Sequence, residues 1–203
     1  MYGDAEPIRM LLSHAGISYE DIYMNYQEFQ KIKEKDQRFE FQRTPILELD
    51  GQFYAQSYSI LRLLGKMYGY YPENSIEAWK VDSVMDQSYD LEKNYLKQFF
   101  QTDKEKAQNL KDNYFQNQLP TYCEKIQKRL IKAGNIFIAG EQLTIADFVN
   151  VAWAYILPYN IACQHSQEHI EVISKYPDLV AYFDRMTKQV KDHLDKRPLG
   201  LGY

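Results

Sequence analysis

The chain has 203 residues, 45% of them hydrophobic, and a formal charge of -4. That length suits one compact unit or two small domains with real cores. The mild acidic balance gives no general reason to bind nucleic acid or anionic membrane. No apolar run reaches the roughly 20 residues that a membrane span needs, and the first residues lack the charged-then-apolar order of a secretory signal.

The first periodic segment runs from Ala5 to Ala15, with Ile8, Leu11, Leu12 and Ala15 on one face. Asp4 stands where an N-cap would be, Pro7 lies near the start and Gly16 where a helix stops. "ISYEDIYMN" alternates as a strand does, over about 18–24, and a helical stretch over about 27–37 follows. "TPILELDGQFYAQS" reads as a hairpin with strands at 45–49 and 52–55. Asp50-Gly51 forms its turn, both residues tolerating positive φ. A helix from Ser57 carries Ile60, Leu61, Leu64 and Met67 inward and stops at Gly69. "YYPENSIE" is a linker by composition.

Beyond the linker everything reads as helix, near 76–101, 103–133, 144–161, 165–175 and 177–190, with Pro120 kinking the second. "LTIADF" opens the third with a capping box. Thr144 caps, Asp147 reaches back, and Leu143 with Phe148 forms the hydrophobic staple. The basic runs "KIKEK" and "TKQVKDHLDKR" are mixed with acids and read as solvated helix faces. Cys123 and Cys163 form no CxxC unit and read as two reduced, buried thiols. His165 and His169 have the i, i+4 spacing of a helical metal pair. No third ligand is near, so a solvated polar face is the expectation, with no metal. The 18 tyrosines suit contact surfaces or, more commonly, the edges of amphipathic cores.

The expected architecture is therefore an α/β domain over 1–70 followed by an all-α domain over 77–203. Three strands are visible where a strand–helix–strand–helix–hairpin–helix layout has four. The first would lie immediately before Ala5.

"AEPIRMLLSHAGISYED", "TPILELDGQFYAQSYSILRLLGKMYG" and "GEQLTIADF" resemble the cytosolic glutathione transferases, most of all the sigma class. The resemblance covers nearly the whole chain, in order. It implies a thioredoxin-like N-terminal domain, an all-helical C-terminal domain, a cytoplasmic location and a homodimer. It also implies glutathione as co-substrate and a hydrophobic electrophile as its partner in reaction.

The resemblance further implies a set of glutathione-binding residues. The Thr44-Pro45 bond is cis in the family and turns the Thr44 backbone outward to pair with the cysteinyl unit like an added strand. Gln56-Ser57 stands at a helix N-terminus, where free N–H groups and the dipole favour the γ-glutamyl carboxylate; Ser57 equally suits a cap of its own helix. Phe29 and Lys33 match the family's Trp and Lys at the glycyl end, with Phe29 lacking the indole donor. Arg43 stands where relatives have Gln or Lys and suits either a carboxylate partner or solvent. Asp90 matches an acid that reaches across the dimer to the γ-glutamyl amine.

One part of the family pattern is missing. A strand ending in a tyrosine, whose hydroxyl supports the glutathione thiolate, precedes "AEPIR" in the family. Its counterpart here falls before residue 1. Tyr2 stands three residues before Ala5, where the family tyrosine stands seven before; the four-residue difference is about 13 Å of extended chain. Asp4 occupies the place of an Arg, and an acid there opposes a thiolate. No catalytic residue is therefore assigned within the chain. Three readings stay open: a transferase whose sequence continues before residue 1, a non-catalytic subunit of a larger assembly that keeps the fold, and a transferase in which another group, such as Tyr2 or Tyr54, acts on the thiol.

Overall fold

A computed structural model gives the fold and describes residues 3–198. A 3-10 turn at Gly3–Ala5 leads into α1 (Glu6–His14), which has Pro7 in its first turn and buries Ile8, Met10, Leu11 and Leu12. The alternating stretch 18–24 is not a strand. Its apolar side chains Ile22 and Tyr23 are 74% and 54% exposed. Alternation is a local property, whereas a strand also needs a ladder partner. Among the described residues the sheet consists of β1 (Ile46–Leu49) and β2 (Gln52–Ala55). The stretch is held instead by Asp21, which accepts from Nε of Arg9 at 2.6 Å.

The next helix, α2 (Tyr26–Ile32), is shorter than the sequence suggested. Asn25 opens it with a capping box. Its Oδ1 accepts from the Glu28 N–H at 2.9 Å while Glu28 accepts from the Asn25 N–H at 3.3 Å. The hairpin has the expected turn, with φ of 52° at Asp50 and 74° at Gly51. Its strands pair antiparallel in the register Ile46↔Ala55 to Leu49↔Gln52. Helix α3 (Ser57–Tyr68) buries Ile60, Leu61 and Leu64 and ends at Gly69, whose φ is 83°. Met67, expected inward, is 49% exposed.

Helix α4 (Ser75–Leu96) is capped by Asn74 and continues as a 3-10 turn at Lys97–Phe100. The predicted helix 103–133 is α5 (Lys104–Asn113), a π turn at Tyr114–Gln118 and α6 (Leu119–Lys132). The distortion expected at Pro120 lies just before it. Pro120 has no N–H to offer, and the Leu119 N–H bonds the Tyr114 carbonyl five residues back. Helix α7 (Ile145–Ile156) stops short of 161, with Pro158 two residues beyond its end. Helices α8 (Ser166–Ile173) and α9 (Pro177–Gln189) follow. A last helix, α10 (Lys191–Lys196), lies beyond the range expected to be helical.

Helix α7 is buried almost throughout and is the axis of the core; α1, α3, α4 and α9 pack on it. The Thr144–Asp147 capping box forms as expected. Its carboxylate does more than cap, because Asp147 also accepts from the Ile138 N–H at 2.9 Å and the Tyr182 hydroxyl at 3.0 Å. Burial pushes the Asp147 carboxyl up to about 6, while these hydrogen bonds pull the other way.

The expected solvated pair His165 and His169 is buried, at 4% and 0% exposure, in an aromatic cluster with Tyr95, Tyr114 and Phe115. Helical spacing alone does not say which face of α8 meets the core. Cys123 is buried as expected, but Cys163 is half-buried, in the loop after α7. No helix among the described residues is long and apolar enough to cross a membrane.

Candidate functional site

The hairpin register assembles the first part of the site. Because Ile46 pairs with Ala55, the residues just before β1 and just after β2 emerge at the same end of the ladder. Thr44-Pro45 and Gln56-Ser57 are therefore neighbours there. The Thr44–Pro45 peptide bond is cis. Thr44 is exposed and Pro45 half-buried.

Gln56 is the N-cap residue of α3, with φ 70° and ψ 105° and no side-chain capping bond. A positive φ is unfavourable for a residue with a Cβ, by of order 1–3 kcal/mol, and such strain gathers at functional positions. Ser57 is the first helical residue and does not cap α3. The Ile60 N–H bonds the Gln56 carbonyl at 2.9 Å, so the helix is well formed while its first amides receive no side-chain cap. An uncapped helix start of this length has free amides and a dipole that favour an anion.

The other expected residues lie on separate elements. Phe29 is half-buried on α2 and packs edge-to-face on Phe39, with centroids 5.2 Å apart. Lys33 is the half-buried C-cap of α2, and Arg43 is exposed beside Gln42, whose φ is 53°. Asp90 is exposed on α4. The structure thus brings residues 44–45 and 56–57 together, and leaves Phe29 and Lys33 on α2 and Asp90 on α4. Tyr2 and most of the tail "KRPLGLGY" lie outside the described residues.

Sequence reasoning missed a small cavity of about 20 Å³ between the 3-10 turn, α3, α4 and α7. It is lined by Asp4, Pro7, Tyr58, Ser88, Glu92 and Trp153, among others. This is room for about one water. The indole Nε1 of Trp153, a residue that lines it, is buried and has no hydrogen-bond partner among the described residues. Burial first, then the charges of Glu92 and Asp4, push the pKa of the Tyr58 phenol up, so it keeps its proton. Asp4 also lies 4.0 Å from Nζ of Lys93. No signal in the sequence joins these residues, which come from five elements, Pro7 belonging to α1. A larger cavity, about 760 Å³, lies between α7, α8 and α9 and shares no residue with the hairpin site. Among the described residues no group of three His, Cys, Asp or Glu side chains is placed to hold a metal ion.

The family model described as the glutathione S-transferase C-terminal domain matches residues 89–197, more than half of the chain. The chain belongs to the glutathione S-transferase family. It is 28% identical to glutathione S-transferase 2 of Manduca sexta, over 89% of this chain and 90% of that protein. It is 29% identical to S-crystallin SL11 of Nototodarus sloanii, over 93% and 88%. Among solved structures, prostaglandin synthase D of Nilaparvata lugens superposes with a TM-score of 0.84 at 24% identity, covering 98% of this chain and 95% of that one. The Pi-class glutathione S-transferase of Onchocerca volvulus superposes with a TM-score of 0.81 at 26% identity, covering 97% and 89%. The family fold accounts for the architecture: an N-terminal part of thioredoxin-like kind, here with a two-stranded sheet among the described residues, and an all-helical C-terminal part.

Proposed function

We propose that this glutathione S-transferase family chain binds glutathione at the open end of the β1–β2 hairpin and serves the conjugation or isomerisation of hydrophobic electrophiles. The observation that carries the reading is the shared position of Thr44-Pro45 and Gln56-Ser57, fixed by the register Ile46↔Ala55. Glutathione is a tripeptide with a carboxylate at each end. It needs a free backbone edge for its peptide and an anion site for its γ-glutamyl end. Thr44 offers the edge, and the uncapped start of α3 with Gln56 and Ser57 offers the anion site. In this reading Lys33 and Arg43 take the glycyl carboxylate, Phe29 gives apolar contact, and Asp90 of a second copy pairs with the amine.

The N-terminal domain, 1–70, then supplies the peptide site, and the helical domain, 77–203, frames the electrophile. The reading includes a sigma-class affinity, a cytoplasmic location and a homodimer. The test is calorimetry of glutathione binding to the 203-residue chain and to Ser57→Ala. Saturable binding at least tenfold weaker in the variant is the expected result. A folded chain that does not bind, or a variant that binds equally well, overturns the reading.

A second reading is a non-catalytic subunit that keeps the fold. It is favoured by the acidic surround of Tyr58: Asp4 and Glu92 oppose any anion formed beside them. Glutathione binding without turnover of general electrophiles would support this reading. Turnover would remove it.

A further inference from the structure

A second cluster of reactive side chains lies in the helical part, apart from the hairpin. Tyr95 on α4, 1% exposed, places its hydroxyl 3.5 Å from Sγ of Cys163 and 3.1 Å from Nδ1 of His165. Cys163 is half-buried in the loop between α7 and α8, within reach of solvent. His165 is held in place from several sides. Phe99 stacks on its ring with centroids 5.9 Å apart and planes 25° apart, and Phe115 meets it edge-on. The carbonyl of His165 accepts from Nδ1 of His169 at 2.7 Å, and Nε2 of His169 meets the Tyr114 hydroxyl at 3.2 Å.

The Tyr95 hydroxyl has one proton and two neighbours that each exchange one. In one arrangement the thiol donates to the Tyr95 oxygen, and the Tyr95 O–H donates to Nδ1 of His165. In the other, Nδ1–H donates to the Tyr95 oxygen and the Tyr95 O–H donates to Sγ, which is then a thiolate. The same heavy-atom positions serve both, and two protons, each moved by one link of the chain, interconvert them. A nucleophile joined to a base, with the base fixed by further contacts, is the pattern of an activated nucleophile. Cys123 is the internal contrast. It is fully buried, and burial pushes its thiol up to about 12.

We propose that Cys163 is a reactive thiol that forms mixed disulfides with small disulfides such as glutathione disulfide, with Tyr95 and His165 as its proton relay. The thiol proton passes to the Tyr95 oxygen as the Tyr95 proton passes to Nδ1 of His165. The Cys163 thiolate attacks one sulfur of glutathione disulfide. The new Cys163–glutathionyl S–S bond forms as the old S–S bond breaks, and the departing glutathione thiolate takes the proton back from the imidazolium. Burial first and then Lys111 of α5 push the His165 value down, while Glu168 of α8, 3.2 Å from Lys111, pushes it up; the net shift is downward, so the resting ring is neutral and open to a proton. This proposal stands independently of the glutathione site at the hairpin.

The experiment exposes the 203-residue chain to glutathione disulfide at pH 7 and follows each cysteine by peptide mass spectrometry. The expected result is one glutathionyl group on Cys163 and none on Cys123, with no adduct in Cys163→Ser. Tyr95→Phe and His165→Gln, each checked for folding by circular dichroism, slow the reaction at least tenfold near pH 7. Both recover towards the wild-type rate as the pH is raised and hydroxide takes the thiol proton directly, which a purely structural defect would not do. If Tyr95→Phe does not fold, His165→Gln alone decides. An unmodified Cys163 overturns the proposal. So does a rate that both folded variants share with the wild type.

Discussion

Nε2 of His193 lies 2.9 Å from Oε1 of Glu6, joining the first turn of α1 to α10 across 187 positions of sequence. The same carboxylate oxygen accepts from Arg197 at 2.7 Å, and its other oxygen lies 3.5 Å from Arg9. Arg197 also donates to the Tyr155 carbonyl and lies over that ring, so the cluster reaches α7. Glu6 is 1% exposed. Its carboxylate is thus the buried hub on which the two ends of the described chain meet.

Glu6→Gln should destabilise the chain by about 3 kcal/mol, because it removes the buried negative charge that Arg197, Arg9 and His193 share. Burial pushes the Glu6 carboxyl up, but the hydrogen bonds and charges of His193 and Arg197 outweigh it, and the net shift is downward. A carboxylate with a depressed folded-state value stabilises the fold above its unfolded value, near 4.5, and loses that contribution as the pH falls further. Urea unfolding of wild type and variant should therefore differ fully at pH 7 and converge below about pH 4.5. A difference independent of pH would count against an ionised hub.

His169 predicts a separate, higher window. Burial lowers it from 6.5 to about 4, so it is neutral in the fold and protonates more readily when unfolded. Stability is complete above 6.5 and falls between there and about 4, by about 3 kcal/mol in all. The Tm of the wild type should drop across that interval. His169→Phe, which keeps a ring but cannot titrate, should start lower and show a flatter profile. Equal slopes in the two proteins would reject His169 as the group responsible.

These clusters mark where the sequence stops being informative. The hairpin, the start of α3 and the Thr144–Asp147 box are local signals and were legible, since each depends on residues within a few positions. The capping box of Asn25 and Glu28 is equally local, a signal carried by residues three positions apart. The stretch 18–24 failed differently: its alternation is real, but pairing is decided by another segment. Glu6 with His193, and Tyr95 with His165, meet across 187 and 70 positions. Nothing in a single sequence records such meetings. For the candidate site, the resemblance supplied the residues and the register supplied the nearness of 44–45 to 56–57.

Gly65 reports on the packing of α3 against α7. A Cβ there would lie 2.8 Å from Cγ2 of Ile145 and 3.0 Å from Cβ of Tyr71, closer than real contacts allow. Both neighbours are held, since the Ile145 N–H bonds the Tyr70 carbonyl at 3.0 Å. Gly65→Ala gains helix propensity yet should cost a net of about 1–3 kcal/mol through overpacking. Thermal unfolding checks the sign, and a stabilised variant would mean that the two helices can move apart freely.

Gln56 separates strain from function. Replacing it with Gly removes the Cβ that makes φ of 70° unfavourable. It also loosens the unfolded chain, an opposing effect of about 1 kcal/mol. Gln56→Gly should therefore leave stability within about 1 kcal/mol of wild type. It should weaken glutathione at least tenfold, because the side-chain amide beside the start of α3 is lost while the helix remains. Urea unfolding and calorimetry on the same preparation give the two numbers. Unchanged affinity with raised stability would mean that the strained residue serves the turn into α3 and not the ligand, and the anion site would then rest on Ser57 and the helix amides alone.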